Sequence, residues 1–123
     1  MLERQETGPY LTISTADQST GHGLITIQAK NIGGQDLAQQ HLCRLTLTDS
    51  TYTAVQAIND VSGGAGTNVI KEHTADADVD WISSTTGAAV IDLHVTNDPT
   101  TVYFLASSFG RAHRSGAFVI TGP

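Results

Sequence analysis

Three aspartates at alternating positions have the spacing in this chain that most resembles a binding site. Asp76, Asp78 and Asp80 lie in the segment TADADVDW. In an extended strand their carboxylates share one face at intervals of about 6.6 Å, and calcium prefers oxygen ligands of this kind. The segment lacks the loop glycine and the distal glutamate of an EF-hand, because Gly87 occupies the twelfth position from Asp76. Two interpretations stay open, a weak calcium site and a solvated acidic loop that leads into a strand.

The other residue types that do chemistry show no catalytic or zinc-binding spacing. The single cysteine, Cys43, excludes an internal disulfide and a cysteine-based zinc cluster, and its apolar neighbours predict a small buried side chain. No GxSxG turn presents a serine nucleophile, and the segment SGGAG opens no helix that would hold a phosphate. The sequence therefore predicts a non-enzymatic protein that needs no cofactor. The five histidines, which never stand at HxH or HxxxH spacing, are His22, His41, His73, His94 and His113.

Composition restricts the classes of partner. The 123 residues carry 6 Lys and Arg against 12 Asp and Glu, for a formal net charge of −6. Nucleic-acid binding needs a basic face that releases phosphate counterions, so this balance argues against it. The longest apolar run, 102–106, is far too short to span a bilayer. The N-terminal segment MLERQETGPY lacks the apolar centre of a secretion signal, so we expect synthesis and folding in a cytoplasm, with no membrane partner.

Turn residues divide the chain into short strands. The sequence holds 17 Thr, 12 Gly and 3 Pro, a composition typical of β-structure with tight turns. Strands are predicted where apolar and polar residues alternate, or where a short apolar run is bounded by turn residues. The predicted strands cover residues 10–14, 23–31, 41–48, 67–73, 79–84, 87–96, 101–106 and 116–121.

The spacing of these strands predicts the fold class. Roughly eight or nine strands, about ten residues apart, are typical of an antiparallel β-sandwich with Greek-key connections. Residues 52–60 are ambiguous and are interpreted as an irregular edge strand, whereas 62–66 and 109–115 are predicted loops. We expect one domain over residues 10–123, preceded by an extended N-terminal arm at residues 1–9.

The last two predicted strands are apolar on both faces, so each must be covered on two sides. A hairpin would pair them directly, and the side chains on one face would then touch. When one face fills the core, the other forms an apolar patch of roughly several hundred Å², a size typical of an interaction site. The alternative is that residues 1–9 or 52–60 of the same chain cover that face. The residues predicted to lie at a subunit interface are Val102, Phe104, Phe118, Ile120 and Tyr10.

Two smaller features leave alternatives open. The loop at 109–115 carries Arg111 and Arg114, which are interpreted either as the rim of an interface with an acidic partner or as an exposed hairpin tip. Trp81 follows Asp80 directly. A large aromatic side chain between short strands favours a place in the core, and the alternative is a platform for a ligand such as a glycan.

The C-terminal half of the chain, residues 66–123, resembles small immunoglobulin-like virion proteins of tailed bacteriophages. The resemblance depends on the loop Gly66-Thr67, the strand sequence KEHTAD at 71–76, the turn at 85–87, the alternating strand at 88–95, and Tyr103 in the strand that follows. The N-terminal half is similar only in its strand pattern. These motifs are structural, so the resemblance transfers no catalytic residue.

The resemblance implies an immunoglobulin-like sandwich without the inter-sheet disulfide. It further implies a structural protein of the virion, above all a head decoration or cement protein that stabilises the major capsid lattice, often as a trimer. An arm such as residues 1–9 would suit a contact with a neighbouring subunit. The same fold also occurs on tails, necks and fibres, so the alternative function is a module there that binds a host-surface glycan or another virion protein.

Overall fold

The computed structural model describes residues 9–64 and 66–122, and within them all regular structure is β-strand. The predicted arm, residues 1–9, lies outside the described residues apart from Pro9. No helix in the described part of the chain is long and apolar enough to cross a membrane. The strands are β1 (Tyr10–Asp17), β2 (His22–Lys30), β3 (Leu42–Thr48), β4 (Asp60–Gly63), β5 (Asn68–Thr74), β6 (Asp78–Ile82), β7 (Ala88–His94), β8 (Thr100–Ser108), β9 (Arg111–Arg114) and β10 (Phe118–Ile120).

The strands form two antiparallel sheets. The four-stranded sheet has the order β1-β2-β7-β4, and the six-stranded sheet has the order β10-β8-β3-β6-β5, with β9 also paired to β8. β2 and β3 are consecutive in sequence but lie in different sheets, as do β7 and β8. Connections that cross between sheets in this interlocked way are the Greek-key pattern.

This strand order is that of an immunoglobulin-like sandwich. β1, β2, β7 and β4 occupy the places of strands A, B, E and D, while β3, β8 and the pair β9/β10 occupy those of C, F and G. The hairpin β5–β6 is an addition that extends the second sheet beyond β3. The predicted fold class, an all-β antiparallel sandwich, is confirmed.

The core lies between the inner faces of the sheets and follows from alternation along the central strands. On β2 and β7 every second residue is buried while its neighbours are half-buried, as expected for strands with one dry face. Trp81 and Phe104 are the largest of the fully buried side chains. The remaining core side chains with no more than 1% exposure are Ile25, Ile27, Ala29, Cys43, Leu45, Leu47, Ala89, Ile91, Leu93, Ala106 and Ile120.

The edges of the sheets differ from the sequence prediction. Residues 62–66 were predicted as a loop, yet Asp60–Gly63 forms β4 and pairs with β7. The predicted loop at 109–115 contains β9, which pairs with β8 in register Leu105 to Arg114. The ambiguous segment 52–60 is mostly irregular, with one isolated bridge between Val55 and Thr48. All three segments lie at the edge of a sheet. Few of their side chains are buried, so the alternation of apolar and polar residues that predicts a strand is weak there.

Candidate functional site

The three aspartates of the acidic segment have different partners. Asp78 accepts hydrogen bonds from Arg44 Nε at 2.9 Å and Nη2 at 2.7 Å, and from Thr46 Oγ1 at 2.9 Å. The Arg44 hydrogen bonds lower the pKa of Asp78 below its ordinary value, and the same contact raises the pKa of Arg44. Asp80 lies 2.9 Å from His73 Nε2. Asp76 sits in the β5–β6 turn and accepts a hydrogen bond from the backbone N–H of Val61 at 3.1 Å.

Because each carboxylate is held by its own partner, the three do not converge on one point. Within residues 9–64 and 66–122 no group of three or more acidic, histidine or cysteine side chains is placed to hold a metal ion. Of the two interpretations of Asp76, Asp78 and Asp80, the weak calcium site therefore has no geometric support in the described residues, whereas an acidic turn that leads into a strand agrees with the position of Asp76 before β6. Asp78 and Asp80 share one face of β6, as the alternation predicts. Their carboxylate oxygens, however, are hydrogen-bonded to side chains on the neighbouring strands β3 and β5.

Trp81 and Cys43 form a directly paired set across β6 and β3 in the core. Trp81 has no exposed surface, so it cannot stack on a sugar, and the interpretation as a core residue is confirmed. Cys43 is 1% exposed. Burial, with a smaller contribution from the charge of Asp80, raises the pKa of the Cys43 thiol to about 12, so the thiol stays protonated at neutral pH.

A buried histidine links the two sheets, and sequence reasoning missed it. His41 Nε2 lies 3.0 Å from the carbonyl oxygen of Gly87, to which it donates, while Nδ1 lies 3.0 Å from Ser108 Oγ. The ring also packs against Phe109, with centroids 5.0 Å apart. Ser108 is buried, and its hydroxyl donates to the carbonyl of Leu42. This serine–histidine pair therefore joins the segment before β3 to the end of β8 and to the turn before β7.

The predicted interface residues on the closing strands lie in the core. Val102 is 4% exposed, Phe118 is 6% exposed, and Phe104 and Ile120 are fully buried. Phe118 pairs with Val102, so the prediction that these side chains share a face is confirmed. Their assignment to a subunit interface is wrong, because this shared face packs against the opposite sheet of the same chain.

The outer face of the same ribbon is covered in part by its own chain. The ring of Tyr52 meets that of Tyr103 edge-on at 5.9 Å, and its hydroxyl donates to the carbonyl of Ser115. Arg114 lies over the Tyr52 ring, 5.0 Å from its centroid. Asp49 fixes the loop by accepting from the backbone N–H groups of Thr51 and Thr53. The alternative that residues 52–60 contribute this cover thus holds for Tyr52.

The remaining predicted contact residues lie near that face. Arg114 is exposed, whereas Arg111 and Tyr10 are half-buried. Arg111 Nε donates to the carbonyl oxygen of Pro9 at 2.9 Å, which places the start of the described chain beside β9. Their proposed role at an interface rim stays a prediction.

Three of the six large apolar side chains that stay exposed in the described residues lie on β3 and β5, at one end of the six-stranded sheet. Leu42 is 60% exposed, Ile70 55% and Val69 48%. Leu42 pairs with half-buried Ile82 and shares its outer face, whereas Val69 pairs with Trp81 and lies on the opposite face of the same sheet edge. We call Leu42, Val69, Ile70 and Ile82 the apolar corner. Sequence reasoning missed it because its members come from three strands and interrupt no alternation.

No protein-family model and no curated protein matches the chain. Among solved structures, the crystal structure of the yeast GGA1 GAE domain aligns with 98% of this chain and 96% of its own length, at 10% sequence identity and a TM-score of 0.25. A TM-score this low supports no statement about the function of this chain.

Proposed function

We propose that the protein is a non-enzymatic structural protein of a tailed-bacteriophage virion, a decoration protein that docks on the capsid lattice. The apolar corner is the observation that carries the proposal. The immunoglobulin-like strand order and the sequence resemblance over residues 66–123 support it. The alternative position, on a tail, neck or fibre, uses the same corner on another virion protein. A glycan-binding role loses its basis, because Trp81 is buried and the acidic side chains are paired.

The apolar corner suits docking on a protein surface. Leu42 and Ile70 keep more than half of their surface in water, and full burial of such a side chain stabilises by about 1.5–3 kcal/mol. A few such contacts give weak binding for one copy. A lattice offers many equivalent sites, and multivalent attachment raises the overall affinity without new contacts.

Sedimentation with particles tests the proposal. Capsids of the phage that encodes this chain, freed of the protein, are mixed with the purified wild type or with the double variant Leu42→Glu, Ile70→Glu. We expect the wild type to sediment with the particles and the variant to stay in the supernatant, because two carboxylates cannot be buried in an apolar contact.

The matched control is Ile32→Glu, Val55→Glu, which places the same two charges on apolar side chains that are 65% and 49% exposed and lie outside the apolar corner. This control should sediment like the wild type. Equal sedimentation of the Leu42→Glu, Ile70→Glu variant would contradict docking through the apolar corner. Electron microscopy of particles with and without the protein separates the two positions, because extra density appears on the head or on the tail; density on neither would overturn the virion role.

A further inference from the structure

No strand of the described residues pairs with the outer edge of β1. β1 ends the four-stranded sheet, and all eight of its residues pair with β2 in register, without a bulge. The segment from Tyr10 to Ala16 contains no charged residue, proline or glycine. An edge strand of this kind presents N–H and C=O groups that can pair with another strand. Asp17 is the only charged residue of β1, and its carboxylate accepts hydrogen bonds from the backbone N–H of Thr121 at 3.1 Å and from the Thr121 hydroxyl at 2.6 Å.

The opposite edge of the sandwich carries the protection that β1 lacks. The register of β5 shifts twice against β6, between Val69 and Lys71 and again between Glu72 and Thr74. Lys71 lies in the middle of the strand. Bulges and a central lysine are devices that prevent edge-to-edge pairing. The contrast indicates that pairing is opposed at β5 and permitted at β1.

A small cleft lies on the inward-facing side of β1, the side that carries Leu11, Ile13 and Thr15. It has a volume of about 220 Å³ and lies between β1 and the segment that joins β9 to β10. Ile13 and Thr15 line one wall, Gly116 and Ala117 the other, and Phe104 lies at the core side. Ile13 is half-buried and packs against the core cluster. Its remaining surface lines this cleft.

We propose that β1 is a self-association site, at which the β1 strands of two copies pair antiparallel around a two-fold axis at Ile13. The two four-stranded sheets then form one sheet of eight. In this register every opposed pair is uncharged. Ile13 faces Ile13, Thr12 faces Ser14, Leu11 faces Thr15 and Tyr10 faces Ala16. A two-fold contact uses the same patch on both copies, so it predicts even-numbered assemblies and not the trimer that the sequence resemblance implies.

This pairing is independent of docking on a lattice. β1 belongs to the four-stranded sheet and contacts β10, whereas the apolar corner belongs to the far edge of the other sheet. A failure of either proposal therefore leaves the other standing. The pairing also gives a role to Tyr10, a predicted interface residue, as the first residue of the paired segment.

Charged substitutions at the exposed positions of β1 test the pairing. Thr12 and Ser14 are both exposed, so Thr12→Lys, Ser14→Lys changes the edge without disturbing the core. In the proposed register it places lysines opposite each other twice across the axis. We expect the wild type to sediment in the ultracentrifuge at twice its chain mass of 12.9 kDa, and the double-lysine variant at the monomer mass.

Mixing provides the specific test. The variant Thr12→Glu, Ser14→Glu should also be monomeric alone, whereas an equimolar mixture with the double-lysine variant should return to the dimer mass. Asn68→Lys, Thr74→Lys on β5 is the matched control and should remain dimeric. Thermal unfolding confirms that each variant is folded. A monomeric wild type at high micromolar concentration, a double-lysine variant that stays dimeric, or a mixture that stays monomeric would each overturn the proposal.

Discussion

Asp78 shows how a carboxylate of the acidic segment is used at the residue scale. Its side chain is 9% exposed and forms two hydrogen bonds with the guanidinium of Arg44, whose own side chain is 46% exposed. The pair joins β3 to β6 on the outer face of the sheet. Because Arg44 is partly exposed, water screens the attraction between its charge and that of Asp78. The pair therefore acts mainly through its hydrogen-bond geometry, which fixes the register of the two strands.

The lowered pKa of Asp78 predicts a loss of stability in acid. A carboxyl group with a lowered folded-state pKa stabilises fully above its unfolded-state pKa, near 3.9, and this contribution disappears as the pH falls through the folded-state value. Asp78→Asn should therefore lower the free energy of unfolding at neutral pH by about 1–2 kcal/mol, and the difference from wild type should shrink as the pH falls below about 3.9. Urea unfolding at several pH values measures this.

Two other carboxylates contribute to the same acid sensitivity. Hydrogen bonds from Thr121 lower the pKa of Asp17, and hydrogen bonds from Thr51 and Thr53 lower that of Asp49. The wild type is therefore expected to keep part of its pH dependence in the Asp78→Asn variant. A constant difference between variant and wild type across the acid range would contradict the assignment to Asp78.

At the scale of single elements, the turn before β7 depends on the absence of a side chain at Gly87. Its φ is +83°, and a Cβ there would lie 2.0 Å from the carbonyl oxygen of Leu37. Its own carbonyl accepts the hydrogen bond from His41. Gly87→Ala should destabilise the protein by more than about 3 kcal/mol, because backbone atoms must move and the link between the sheets is disturbed.

Gly110 in the β8–β9 turn provides the matched comparison. Its φ is +73°, but a Cβ there meets no atom within 4 Å. Gly110→Ala should therefore cost only the penalty of the left-handed conformation, about 1–2 kcal/mol. Thermal unfolding of both variants measures the difference, and equal destabilisation would show that the close contact at Gly87 relaxes easily.

The elements differ in how well the sequence predicts them. β2, β3 and β7 follow from alternation, because one face of each is dry. β4 and β9 were missed, since an edge strand pairs through its backbone while its side chains stay largely in water. The closing ribbon was paired correctly, but its buried face was assigned to an interface. Tyr52, which covers Tyr103, lies 51 positions away in sequence, and no local pattern reveals such a contact.

At the scale of the whole molecule, the two proposed surfaces lie on opposite edges of the sandwich. β1 contacts β10 at one edge, and the apolar corner includes β5 at the other. Substitutions at distant sites without shared partners usually have additive effects. The Leu42→Glu, Ile70→Glu variant should therefore still dimerise, and the double-lysine variant of β1 should still contact the lattice through one corner.

Loss of the dimer should nevertheless weaken attachment to a lattice, because a dimer presents two corners. When both corners engage, the second contact forms at a high effective concentration, and overall affinity can exceed that of one contact by roughly a hundredfold or more. The Thr12→Lys, Ser14→Lys variant should thus need that much more protein to saturate the particles, whereas its mixture with the double-glutamate variant should bind like the wild type. Titrated co-sedimentation measures both. Saturation at the same concentration with and without the dimer would mean that the two corners of a dimer never reach the lattice together.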